Sequence, residues 1–90
     1  RKVELVIEVA QTSLMLDRGL KAELYAEAEI PQYWIVNLNE DVIEVHTRPN
    51  PKSHPPSYGE RRVYGLGETI PVVLRETNLG ALIVDDVLRF

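Results

Sequence analysis

The run Glu4-Leu-Val-Ile-Glu8-Val-Ala10 and the segment after it constrain this chain most. Residues 3–10 alternate as a strand: Val3, Leu5, Ile7 and Val9 on one face, Glu4, Val6, Glu8 and Ala10 on the other. Val6 between two acids makes the second face partly apolar, which predicts a central strand covered on both sides. A carboxylate on such a strand costs several kcal/mol unless it is paired or metal-bound. Gln11-Thr-Ser13 then turns a polar corner, with Thr12 and Ser13 as natural N-caps. A helix is predicted from about Leu14 to Ala28, with Leu16, Leu20, Leu24 and Ala28 as its core stripe. Gly19 interrupts it at a cost of up to about 1 kcal/mol, for which close packing on the sheet is one account. Ile30-Pro31 ends it.

Beyond the helix the chain turns to β-structure. Residues 33–38 are aromatic and β-branched, 39–41 read as a turn, and 42–47 complete an antiparallel hairpin. Trp34 is expected in the core. Arg48 to Ser57 holds four of the six prolines and reads as an exposed loop. Residues 62–64 form a short strand, 65–68 a turn, and 70–74 a segment on an edge or outside the sheet because of Pro71. Residues 81–84 give a last short strand, with Asp85 or Asp86 capping a helical turn that ends at Phe90. The expected fold class is α/β, a mixed sheet with a helix after its first strand.

Ninety residues make one small domain spanning 1–90. The absence of cysteine excludes disulfides and thiolate metal sites, and fits a cytoplasmic location. No apolar run approaches the roughly 18 residues that span a bilayer. A net charge of -4 argues against nucleic-acid binding by bulk electrostatics, although an acidic metal site would leave such a balance. His46 and His54 do not match a zinc pattern and read as surface residues. Arg61, Arg62 and Lys52 are too few to define a phosphate surface.

The chemistry concentrates in the first third. Glu4 and Glu8 stand about 13 Å apart along one strand face, too far to share one ion. Asp17, Lys21 and Tyr25 line one helix face at four-residue spacing. Two readings stay open: a surface Asp17–Lys21 ion pair worth a few tenths of a kcal/mol, or a face turned toward Glu8, with Lys21 beside a scissile phosphate.

Glu8-Val-Ala-Gln-Thr-Ser13, then Asp17-Arg-Gly-Leu-Lys21-Ala-Glu-Leu-Tyr25, then Ile30-Pro-Gln-Tyr33-Trp34-Ile-Val-Asn37 together resemble the Uma-two family of restriction endonucleases, within the PD-(D/E)XK nuclease superfamily. The resemblance is close over residues 3–47 and looser beyond. It implies a restriction-endonuclease-like core, DNA as partner, and magnesium or manganese held by carboxylates; a homodimer is expected besides. Glu8 matches the acid of the family's strand and a metal ligand, Lys21 the helical lysine, Tyr25 the tyrosine one turn on, and Asp17 the acid at the helix start. Glu4 stands where the family has aspartate, and Ala10 where the superfamily's lysine usually falls. The chain starts on Arg1-Lys2, so the upstream strand with the other metal-binding acid is expected to be absent, and cleavage by this chain weak or nil. The alternative is a non-catalytic interaction or oligomerisation module on the same fold.

Overall fold

The computed structural model describes residues 3–88. Four strands form the main sheet in the order β1 (Leu5–Ala10), β2 (Gln32–Asn37), β3 (Val42–Asn50) and β4 (Ser57–Gly65). β1 runs parallel to β2, opposite in register Glu8 to Ile35, and the other pairs are antiparallel. The first helix provides the crossover that a parallel pair requires. A separate hairpin, β5 (Thr69–Leu74) and β6 (Thr77–Ile83), is followed by a helical turn at Val84–Leu88. The chain is thus mixed α/β, mainly strand, with few helices. No described helix is long and apolar enough to cross a membrane.

β2 is central, and its residues are buried from Tyr33 to Asn37. Trp34 and Val36 point to the hairpin side, where they join Ile43, Val45, Ile70 and Val84 in the larger apolar cluster. Tyr33 and Ile35 point to the other side and pack with Ala10 and Ala22 under the first helix. The Asn37 amide closes the β2–β3 connection: its oxygen accepts from the backbone of Asn39 and Glu40, both at 3.1 Å.

The first helix occupies residues 14–27 but is not uniform. It is α-helical over Leu14–Leu16 and Ala22–Glu27, with a π-helical turn over Asp17–Lys21 between them. The wider turn shifts the phase of the helix, so the buried positions are Asp17, Ala22 and Ala26. Leu16, Leu20 and Leu24 are about half exposed, and the expected leucine core stripe is on the outside. The sheet beneath is crowded by Tyr33, and alanines let the helix backbone approach it closely. The helix ends in a Schellman arrangement. Glu29 takes the left-handed conformation (φ 57), its amide donates to Ala26 O at 3.0 Å, and that of Ile30 donates to Tyr25 O at 3.1 Å.

Other expectations need correction. β1 is an edge strand among the described residues, and its hairpin-side residues Ile7 and Val9 are exposed, so it is not covered on both faces. Ser13 is the helix N-cap by position, but its hydroxyl donates to Asp17 Oδ2 instead of a backbone amide. A Cβ on Gly19 would meet nothing within 4 Å, so close packing does not explain that glycine. The proline-rich segment is paired at both ends, because β3 runs to Asn50 and β4 starts at Ser57. β6 starts at Thr77, after a two-residue turn in which Arg75 and Glu76 both have positive φ, as a type I′ hairpin requires. Asp85 lies inside the first turn of its helix, where its carboxylate accepts from the Gly67 amide at 2.7 Å. The expected helix end at Phe90 is outside the described residues.

Candidate functional site

The corner between β1 and the first helix brings four side chains together. Glu8 is on the helix side of β1, two residues before the buried Ala10. The Tyr25 hydroxyl donates to Glu8 Oε2 at 2.8 Å. The Lys21 ammonium stands 3.6 Å from Glu8 Oε1 and 3.2 Å from Asp17 Oδ1. The structure therefore joins Glu8, Asp17, Lys21 and Tyr25 in one cluster, and Lys21 bridges the two carboxylates.

Asp17 is not a surface residue: its side chain is 1% exposed, against 28% for Glu8 and 33% for Lys21. The bland surface ion pair is thereby excluded. Asp17 Oδ2 accepts from Ser13 at 3.3 Å, while Oδ1 has no hydrogen bond of good geometry and faces the ammonium. The Tyr33 hydroxyl, fully buried, donates to the Asp17 carbonyl at 3.1 Å. It thus fixes the first residue of the π-turn from below, and that turn carries Lys21. π-Turns of this kind are frequent at functional sites.

The electrostatics follow from these contacts. The close contact with the Asp17 carboxylate, with the nearby charge of Glu8, raises the Lys21 pKa above its ordinary value. The hydrogen bond to Glu8 raises that of Tyr25. Burial, reinforced by Asp17 and Glu8, raises that of Tyr33 strongly. Lys21 is a fixed positive charge at neutral pH and both phenols stay protonated.

A second polar cluster escaped the sequence reading. Glu44 is fully buried on β3. Its Oε2 accepts from both Nε and Nη2 of Arg18, on the first helix. Its Oε1 lies 3.3 Å from His46 Nε2 and 3.8 Å from Arg61 Nη1. Burial alone would raise the Glu44 pKa, but Arg18, His46 and Arg61 outweigh it and hold the carboxyl below its usual value. His46 is buried between Tyr33 and Tyr58 (ring centroids 5.7 and 6.0 Å), so it is not the surface residue expected. That burial lowers its pKa below 6.5 despite Glu44. Burial also pushes the Tyr58 phenol up to about 12. Arg18 and Glu44 lie 26 positions apart, so no local spacing announces them. The available signal was a glutamate flanked by Ile43 and Val45 on an apolar strand.

Glu4 takes no part in the corner: it pairs with Arg75 of the β5–β6 turn at 3.4 Å. Among the described residues no three acids or histidines converge in a way that could hold a metal ion.

A mixed sheet with a lysine set between two carboxylates at a strand–helix corner defines an α/β protein with a charged, partly open site. The family model for Uma2, described as "Putative restriction endonuclease", matches residues 1–80, and the chain belongs to that family. No curated protein and no solved structure matches the chain.

Proposed function

We propose that this chain is a DNA endonuclease domain with a restriction-endonuclease-like core, hydrolysing phosphodiester bonds with a divalent metal, magnesium or manganese. The observation that carries the reading is Lys21, held between Glu8 and Asp17 at the open corner. Family membership supports nuclease chemistry in general terms.

The fit of a metal rests on Glu8. Its Oε2 accepts from Tyr25, and its Oε1 stands 3.6 Å from the ammonium on a side chain 28% exposed. A hard cation such as magnesium is commonly held by one or two carboxylates plus substrate phosphates and water. Glu8 offers one such ligand, and the donors present ask the substrate and water for the rest. When bound, the metal would supply positive charge and an activated water.

The remaining roles belong to the chain itself. Tyr25 orients the Glu8 carboxylate by donating to one oxygen. Asp17 keeps Lys21 protonated and aimed at the corner. Lys21, with its raised pKa, is not a proton acceptor at neutral pH. It offsets the charge that develops on the phosphate oxygens and holds water by donation. Asp17 and Tyr25 are positioning residues in this scheme.

One observation favours a second reading, an interaction module that associates with a second copy of the chain. Met15, Leu16, Leu20 and Leu24 form an exposed apolar ridge on the helix. Leucines at i, i+4 spacing present the same ridge to a two-fold partner and can interdigitate with it.

Plasmid nicking with magnesium or manganese, against an EDTA control, separates the two. Slow metal-dependent nicking is expected, lost in Glu8→Gln and slowed about 10²-fold or more in Lys21→Ala. Lys21→Ala should keep any metal-induced rise in melting temperature, since lysine is not a ligand. Nicking by Glu8→Gln at the wild-type rate would overturn the proposal. No nicking under any divalent metal, with a concentration-dependent mass in size-exclusion chromatography, would favour the module.

A further inference from the structure

On the other flank of the first helix, away from Lys21, lies a cleft of about 290 Å³. Arg18 and Ala22 of the helix form one wall, Pro55, Pro56 and Tyr58 the opposite wall, and His46 and Arg61 lie between them. Beneath is the Glu44 carboxylate, with its side chain 1% exposed. Glu44 accepts from one edge of the Arg18 guanidinium and leaves Nη1 without a protein partner among the described residues. The Arg61 side chain is half exposed and its guanidinium makes no hydrogen bond to the protein among those residues; Glu44 Oε1 lies 3.8 Å from its Nη1.

A buried carboxylate is an expensive way to stabilise a fold, because desolvation offsets much of the attraction it gains. What Glu44 does achieve is to gather two guanidinium groups at one carboxylate, Arg18 bonded to Oε2 and Arg61 3.8 Å from Oε1. With Arg18 and Arg61 positive, Glu44 negative and His46 neutral, the positive charge is local to the two guanidinium groups, and a phosphate would be held by their forks and not by the net charge of the cleft. Guanidinium forks match the oxygens of a phosphate group. The walls offer proline and tyrosine surface to a sugar or base. The volume is near the lower end for a small-ligand pocket and exceeds what a simple ion needs. Two acids oppose the positive charge: Glu23, at the rim, and Glu40, 3.9 Å from Arg18.

We propose that this cleft is a nucleotide-binding subsite in which Arg18 and Arg61 hold a backbone phosphate of DNA, on the opposite flank of the helix from Glu8 and Lys21. The inference rests on the endonuclease reading for its ligand and is tested without cleavage. Arg18 is tied to Glu44 and its loss would disturb the fold, so the informative variants are Arg61→Ala and Glu23→Gln, both of which alter cleft-lining side chains that the core does not require.

The experiment is fluorescence anisotropy of a short labelled DNA duplex in EDTA, titrated with protein at several salt concentrations. Arg61→Ala should weaken binding about tenfold at low salt and reduce the slope of log K against log salt by about 1, the signature of one lost phosphate contact. Glu23→Gln should tighten binding about twofold by removing an opposing charge. An Arg61→Ala protein with wild-type affinity and slope, or weaker binding by Glu23→Gln, would overturn the subsite. The two proposals fail separately. A protein that binds DNA through Arg61 but never nicks it retains the subsite and loses the nuclease. A protein that nicks plasmid with Arg61→Ala binding as wild type retains the nuclease and loses the subsite.

Discussion

The two faces of the main sheet are built on opposite plans. The hairpin side is a conventional apolar core: Trp34, Val36, Ile43 and Val45 against Ile70 and Val84. The helix side buries Asp17, Asn37, Glu44 and His46 among a few small or aromatic residues. Both faces belong to the same strands, since alternation sends Ile43 and Val45 one way and Glu44 and His46 the other. The hairpin side obtains its stability from area removed from water. The helix side carries charges whose burial is tolerable only because each finds a partner. The lesson is a division of labour across one sheet: the apolar face supports a polar face that can hold chemistry.

Truncation on the apolar face should produce the largest effect. Ile43 is fully buried in the hairpin-side cluster. Ile43→Ala is expected to cost about 3 kcal/mol through lost transfer energy and a residual cavity. Measured by urea denaturation, that loss should leave DNA binding per folded molecule unchanged. A binding defect in folded Ile43→Ala protein would break the separation of the two faces.

Removing a charge partner on the polar face should cost less, yet change more. Arg18→Ala leaves Glu44 buried without its main donor. Removing one member of a fully buried pair costs about 3–5 kcal/mol. Arg18 is 40% exposed, and His46 and Arg61 stay near Glu44, so about 2 kcal/mol is expected here. Unlike Ile43→Ala, this variant should also lose DNA affinity at low salt. Equal effects on stability with no effect on binding would reduce the Arg18–Glu44 pair to a structural role.

The sequence makes these two faces unequally legible. The apolar face follows from period-two alternation in residues 33–38 and 42–47, and Trp34 is buried as its surroundings imply. The corner is legible in part: strand, turn and helix in immediate succession bring Asp17, Lys21 and Tyr25 within reach of Glu8, but their spacing equally allows a surface ion pair, and the burial of Asp17 decides between the two. The orientation of the helix does not follow. A 3.6-residue period groups Leu16, Leu20 and Leu24 on one face without saying which face meets the sheet, and the structure turns Asp17, Ala22 and Ala26 inward instead, with a π-turn between the first two that has no clear sequence signature. The Glu44 cluster was hidden for a different reason. Its members come from the helix, β3 and β4, and only the tertiary fold brings Arg18, Glu44, His46 and Arg61 together.

The smallest expected effect concerns His46, and its sign decides how the polar face is held. Tyr33 and Tyr58 flank the ring, Glu44 lies 3.3 Å away, and the positive charges of Arg61 and Arg18 are near. Burial first, with the two arginines, lowers its pKa in the fold below 6.5, and Glu44 offsets that only in part. The unfolded chain then takes up the proton more readily than the folded one. Stability should therefore fall as pH drops below 6.5, because protonation favours the unfolded state. If His46 were instead the charged partner of Glu44, its folded pKa would be raised, and stability would be greatest at low pH and lost as pH rose. Glu44 titrates in a separate window, since its lowered pKa delays its contribution to acid unfolding to below 4.5. Thermal melts of wild type and His46→Gln between pH 7.5 and 4.5 provide the check. A shallow decline in wild type that His46→Gln removes is expected. A wild-type melting temperature that rises on acidification through this range would show the buried pair to be ionic, with the helix side held by a second salt bridge and not by a neutral ring packed between two phenols.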